Sequence, residues 1–147
     1  MKRQLVALAL LGLASTPLWA ADCATTITAN DAMQFDKKTI SVPASCSTFT
    51  VTLKNIGKLP RSAMGHDWVL TRKADKQAVL SAGAAAGLDH GYLKAGDKRV
   101  IAHTRLLGGG QADSATFAVA DLKQGPFEYF CSFPGHAALM TGTLVVQ

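Results

Sequence analysis

From Phe49 to Lys54 apolar and polar residues alternate strictly: Phe49, Val51 and Leu53 fall on one side, Thr50, Thr52 and Lys54 on the other. A period of two buries one face of an extended strand and leaves the other in water; a helix cannot satisfy it. His66, Trp68 and Leu70 share one face of another such segment. Residues 99–104, 114–119, 127–131 and 143–146 read as further strands, and 25–28 and 39–42 open the fold. Turn residues separate these runs. About eight short strands predict an all-β fold, an antiparallel Greek-key sandwich or barrel. One stretch departs from the pattern. Residues 74–86 are rich in Ala and include Lys76, Gln77 and Leu80, all good helix formers. They predict a short inserted helix whose end is made ragged by Gly83 and Gly87.

The N-terminus reads as a separate unit. Lys2 and Arg3 precede a short apolar run, 5–13, broken by Pro17 and followed by small residues. That is the layout of a secretory signal peptide. The run falls short of the roughly 20 apolar residues that a membrane span needs. Cleavage after Ala20 leaves residues 21–147 as one domain. Cys23 follows Asp22 and is not the first mature residue, so no lipid or membrane anchor is expected. Export to the bacterial periplasm fits, and that compartment permits disulfides. Of the 15 Lys and Arg residues, two belong to the leader, leaving thirteen against 10 Asp and Glu. So mild and scattered a positive balance gives no reason to expect a nucleic-acid partner.

Three cysteines allow one disulfide and one thiol, and the count alone leaves three pairings open. Cys131 is set apart by its neighbours, His136 and Met140; Cys23 and Cys46 have no histidine nearby, which favours pairing them. The segment 131–140 reads C-x4-H-x3-M at the end of a strand, with Pro134 and Gly135 permitting a tight loop. It offers a thiolate, an imidazole and a thioether from one loop. His66, at the mouth of a strand, supplies a second imidazole. Two His and one Cys with a long axial Met form the donor set of a copper centre that transfers electrons, since it suits Cu(I) and Cu(II) tolerably well. Gly65, lacking a Cβ, lets its carbonyl approach from the side opposite Met140. Taken singly, each of these residues has a blander role, such as core filler or a loop histidine. Together, residue type, order and loop setting all agree with a metal centre, a combination chance does not readily give. Structural zinc fits less well, because no C-x2-C pair is present. A Cys–His nucleophile lacks an orienting Asn or Asp after His136, so no enzyme is expected. His90 and His103 lie outside the set.

With those residues in view, the chain resembles the azurin group of blue copper proteins in the cupredoxin family. The matching stretches are MQF (33–35), MGHDWVL (64–70), GLD (87–89), YLK (92–94), RVIAHT (99–104) and CSFPGHAALM (131–140). The resemblance implies an eight-stranded Greek-key sandwich with an external helix. It implies one copper held by His66, Cys131 and His136, with Met140 and the Gly65 carbonyl as weak axial ligands, and a Cys23–Cys46 disulfide. It also implies an apolar docking patch of Met33, Leu59, Met64, Phe133, Pro134, Ala138 and Leu139 around the His136 edge. Two departures matter. Asp67 stands where these proteins usually carry an Asn that bonds across to the Cys loop, and a carboxylate can only accept hydrogen bonds. Asn55 stands where several members carry a buried, pH-sensitive His. Residues 125–130 also look one residue shorter than usual.

The reading is therefore a soluble, monomeric periplasmic carrier cycling one copper between Cu(II) and Cu(I). Its partners would be redox proteins such as c-type cytochromes, reductases or dehydrogenases. A copper chaperone or store is the main alternative, but it would need an exchangeable site and more methionine than the four present. A metal-free binding module on a similar sandwich would gain no colour with Cu(II).

Overall fold

A computed structural model describes residues 22–147; the expected signal peptide, 1–20, lies outside them. Nine strands form two sheets. One sheet has the order β2 (Gln34–Phe35), β1 (Ala24–Asn30), β4 (Thr48–Asn55), β7 (Ala112–Ala118). The other has the order β3 (Thr39–Val42), β9 (Thr141–Val146), β8 (Phe127–Phe130), β5 (Val69–Arg72), β6 (Val100–His103). The cupredoxin sandwich expected from the sequence is thus present, with nine strands because of the two-residue β2. It is not wholly antiparallel: β1 runs parallel to β4, and β3 parallel to β9. These parallel pairs join segments that are not consecutive, so no local pattern announces them.

The alternation in β4 is borne out. Phe49, Val51, Leu53 and Asn55 are buried, and Thr50 and Thr52 bond sideways to Thr116 and Ser114 of β7. Trp68 sits at the centre of the core, its ring 6.2 Å from Phe117 and 5.8 Å from Tyr129. The strand expected from His66 to Leu70 is different. His66 forms only an isolated bridge with Leu107, and β5 begins at Val69. Its alternation is hidden because both faces are covered. Trp68 and Leu70 enter the main core, whereas Val69 packs with Phe130, Leu93 and Val79 in a second cluster. Val79 belongs to α2 (Lys76–Ala86), the expected inserted helix, preceded by a 3-10 turn over Lys73–Asp75. Gly83 lies inside that helix rather than fraying it. A Cβ there would stand 2.0 Å from the Tyr92 carbonyl oxygen, so only glycine allows this contact. A one-turn helix, α1 (Arg61–Met64), leads into Gly65.

Cys23 and Cys46 are bonded, with their Cα atoms 5.7 Å apart, and Cys131 is a buried free thiol. The bond staples the start of β1 to the loop before β4 across 23 positions. Closing a loop of that size in the unfolded chain corresponds to about 3 kcal/mol of stability. Replacing both Cys23 and Cys46 by Ser is predicted to lower the stability of the metal-free protein by about that amount in urea unfolding. Thiol titration of the oxidised protein under denaturing conditions should count one free thiol; zero or three would contradict the pairing.

Candidate metal centre

Two distant segments converge at one end of the sandwich. Cys131 is the residue after β8, so the strand delivers its side chain to the rim. Its N–H donates to the Met140 carbonyl at 3.1 Å and thereby closes the loop 131–140. Inside the loop, the His136 N–H donates to the Phe133 carbonyl at 3.0 Å and the Met140 N–H to the His136 carbonyl at 2.8 Å. Pro134 and Gly135 occupy the two central turn positions, and Gly135 has φ +84°, which suits glycine. On the other side, His66 is pinned to Leu107 by reciprocal main-chain bonds of 3.0 and 2.7 Å.

The donor atoms meet. Cys131 Sγ lies 3.9 Å from Nδ1 of His66 and 3.6 Å from Nδ1 of His136. All three residues are buried, and their donor atoms lie within 4.8 Å of one another. A first-row ion bonding sulfur at about 2.3 Å and imidazole at about 2.0–2.1 Å, with angles near 120°, would hold S and N about 3.8 Å apart. The observed spacings match that triangle. Nε2 of His66 donates to the Asn30 carbonyl at 2.9 Å. Since a carbonyl only accepts, Nδ1 is left unprotonated and aimed at the sulfur. Met140 is fully buried in the same core cluster as Cys131, and the Gly65 carbonyl oxygen is 3.8 Å from Sγ. Glycine at 65 is required by packing. A Cβ would stand 2.5 Å from the Arg61 carbonyl oxygen and 2.9 Å from Leu106 Cγ.

Burial sets the charge states. Desolvation lowers the pKa of His66 and, joined by the neighbouring His66, brings that of His136 to about 4. Desolvation also holds the Cys131 thiol well above its ordinary range, with Asp67 adding to the effect. Two neutral imidazoles and a masked thiol are a poor arrangement for water but a good one for a cation, which draws the thiol into its thiolate form.

Asp67 bonds across to the Cys loop, as its position implies. Oδ1 accepts from the Ser132 N–H at 2.6 Å and Oδ2 from the Ser132 hydroxyl at 2.5 Å. Complete burial raises its pKa to about 6, against the pull of the Ser132 bonds. Phe133 stacks on the His136 ring at 4.5 Å and meets Tyr92 edge-on at 5.1 Å. Asn55 is buried, donating to the Leu107 carbonyl and accepting from the Gly57 N–H. His90 and His103 are exposed, apart from the cluster.

The expected docking residues differ in exposure. Leu139 is 55% exposed and Leu59 42%, and Pro134 and Ala138 are also exposed. Met33, Met64 and Phe133 are half-buried, and His136 is nearly covered. Sequence reasoning missed Asn30 and Ser132. Asn30 acts through its main-chain carbonyl, which no residue identity encodes. Ser132 was legible in principle as a hydroxyl beside Cys131 that could serve the buried Asp67.

Comparison with known proteins places this geometry. The family described as "Copper binding proteins, plastocyanin/azurin family" matches residues 21–147. The azurin of Bordetella pertussis is 59% identical over 144 residues, covering 97% of this chain and 96% of its own. That of Pseudomonas aeruginosa is 53% identical over 148 residues, covering all of both chains. A solved azurin (Az-iso2) from Methylomonas sp. strain J superimposes with a TM-score of 0.82 at 46% identity, covering 86% of this chain and 99% of that one.

Proposed function

The chain belongs to the plastocyanin/azurin family of copper binding proteins, and from that premise we propose that it shuttles single electrons between redox proteins of the periplasm. It is a blue copper electron carrier, not an enzyme, and it binds one copper. The observation that carries the reading is the convergence of one sulfur and two ring nitrogens, from segments 65 residues apart, into a triangle one ion fills. His66, Cys131 and His136 would hold the copper in this reading, with Met140 and the Gly65 carbonyl as weaker donors beside them. Bound copper supplies a one-electron couple between Cu(II) and Cu(I).

The protein's part is to keep the donors still and dry. The Asn30 carbonyl fixes the ring of His66, the closed loop fixes Cys131 and His136, and Asp67 ties the two segments together through Ser132. Donors held by bonds of their own have little to rearrange when the ion's charge changes, which keeps the barrier to electron transfer low. Burial of all three ligand residues also disfavours the exchangeable site a chaperone or store would need.

The His136 edge is the electron port. Met33, Leu59, Met64, Pro134, Ala138 and Leu139 surround it as a small apolar patch, suited to brief encounters that release after each transfer. c-Type cytochromes, reductases or dehydrogenases are the expected partners of a monomer. The signal-like leader and the Cys23–Cys46 bond support a periplasmic location. No helix among the described residues is long and apolar enough to cross a membrane.

Titrating the metal-free protein with Cu(II) should give an intense blue colour at one equivalent that bleaches on reduction. Cys131→Ser should bind without the colour, and an uncoloured wild-type protein would contradict the assignment. Asp67 adds a second expectation. Its carboxylate, when ionised, favours the more highly charged Cu(II), so Asp67→Asn should raise the reduction potential by some tens of millivolts. The amide can still accept from the Ser132 N–H and can donate to its hydroxyl. Voltammetry on the holoprotein checks this above pH 7; an unchanged or lower potential would overturn the role of the charge.

A further inference from the structure

Two exposed lysines border the apolar face. Six of the thirteen bases among the described residues are matched locally, Lys37 with Asp36, Arg72 with Asp75, Lys73 and Lys76 with Glu128, Arg99 with Asp97, and Arg105 with Asp113, whereas Lys54 and Lys94 are exposed and join no ion pair. Lys98 and Lys123 stand at the end of the sandwich away from Cys131, in a recess shared with Asp75, Asp121 and Phe127 at the start of β8. Signs are mixed there. Arg61 likewise shares a recess with Asp89.

Lys38 and Lys58 are placed otherwise. Neither joins an ion pair among the described residues, both are exposed, and each adjoins an exposed leucine of the apolar face. Lys38 reaches across the fold, and its Nζ donates to the Leu139 carbonyl at 2.9 Å. Its charge is therefore fixed on the rim. Lys58 directly precedes Leu59. The carboxylate beside it, Asp31, is turned to the main chain and accepts the N–H groups of Lys58 and Leu59 at 2.8 and 3.5 Å. The lysines thus flank the apolar contact from two separate segments, two cations against the one carboxylate of Asp31, whose oxygens face main-chain N–H groups.

We infer that Lys38 and Lys58 form a cationic collar that selects redox partners whose own electron-transfer edge is ringed by carboxylates. This rests on the reading of the His136 face as the port. Rim charges of one sign accelerate encounter with an oppositely charged partner and orient it, while the apolar centre carries the contact. Lysine is well suited here, because a hydrated point charge attracts without demanding a desolvated pair that would slow release.

The test uses stopped-flow oxidation of the reduced copper-loaded protein by hexacyanoferrate(III), each turnover passing one electron to give hexacyanoferrate(II). This trianion is the probe for an anionic acceptor, and tris(phenanthroline)cobalt(III), reduced by one electron to cobalt(II), is the cationic control. Lys38→Gln/Lys58→Gln is compared with Lys98→Gln/Lys123→Gln, which removes the same charge at the far end. At low salt the collar pair should slow the anionic probe by about three- to tenfold and leave the cationic probe unslowed; the far-end pair should change either rate much less. Hexaglutamate should compete with the anionic probe in the wild-type protein and lose that effect in the collar variant. Equal slowing by the two pairs would reduce the effect to net charge and overturn the collar, as would hexaglutamate that fails to compete. If neither probe oxidised a wild-type protein that colours with copper, the port reading beneath the proposal would fall with it.

Discussion

A thiol held less than 4 Å from two imidazole nitrogens, with no water-facing side, is the constraint around which this fold is arranged. Burying three titratable groups together is costly unless each is neutral or shares a counter-charge. The protein meets the cost in stages. His66 donates a hydrogen bond from Nε2 to the Asn30 carbonyl, both imidazoles have lowered pKa values, and the thiol resists ionisation. A cation entering this triangle resolves the remaining mismatch by stabilising the thiolate. The same site is therefore a tolerated strain on the metal-free fold and a ready-made cage for the loaded one.

The cage depends on elements that look unrelated to it. β8 brings Cys131 to the rim, but the Met140 carbonyl at the root of β9 closes the loop. His66 lies outside any regular strand and owes its position to Leu107, whose own carbonyl also accepts from buried Asn55. Asp67, the neighbour of His66, holds Ser132, the neighbour of Cys131. One acidic side chain thus couples the two halves of the site.

Much of this could be read before the fold was known, because the decisive signals are local. Period-two alternation marks β4 since one face is wet. C-x4-H-x3-M marks the centre since three donors share one loop. Illegible features were those without local expression. β5 lost its alternation to Val79 of α2, which covers the face that would otherwise be polar. The parallel pairing of β1 with β4 and of β3 with β9 depends on chain order in space. Asn30 acts through a carbonyl common to every residue, and Lys38 reaches Leu139 across 101 positions. Gly65 was singled out for the approach of its carbonyl, whereas the packing of Arg61 and Leu106 is what excludes a side chain there.

The central claim is that the protein, rather than the metal, dictates the donor triangle. X-ray absorption at the copper edge, recorded on oxidised and reduced holoprotein, tests it most directly. The account predicts one short sulfur and two nitrogen scatterers in both states, with distances nearly unchanged by the electron. Loss of the sulfur shell, or a rearranged coordination number on reduction, would contradict it.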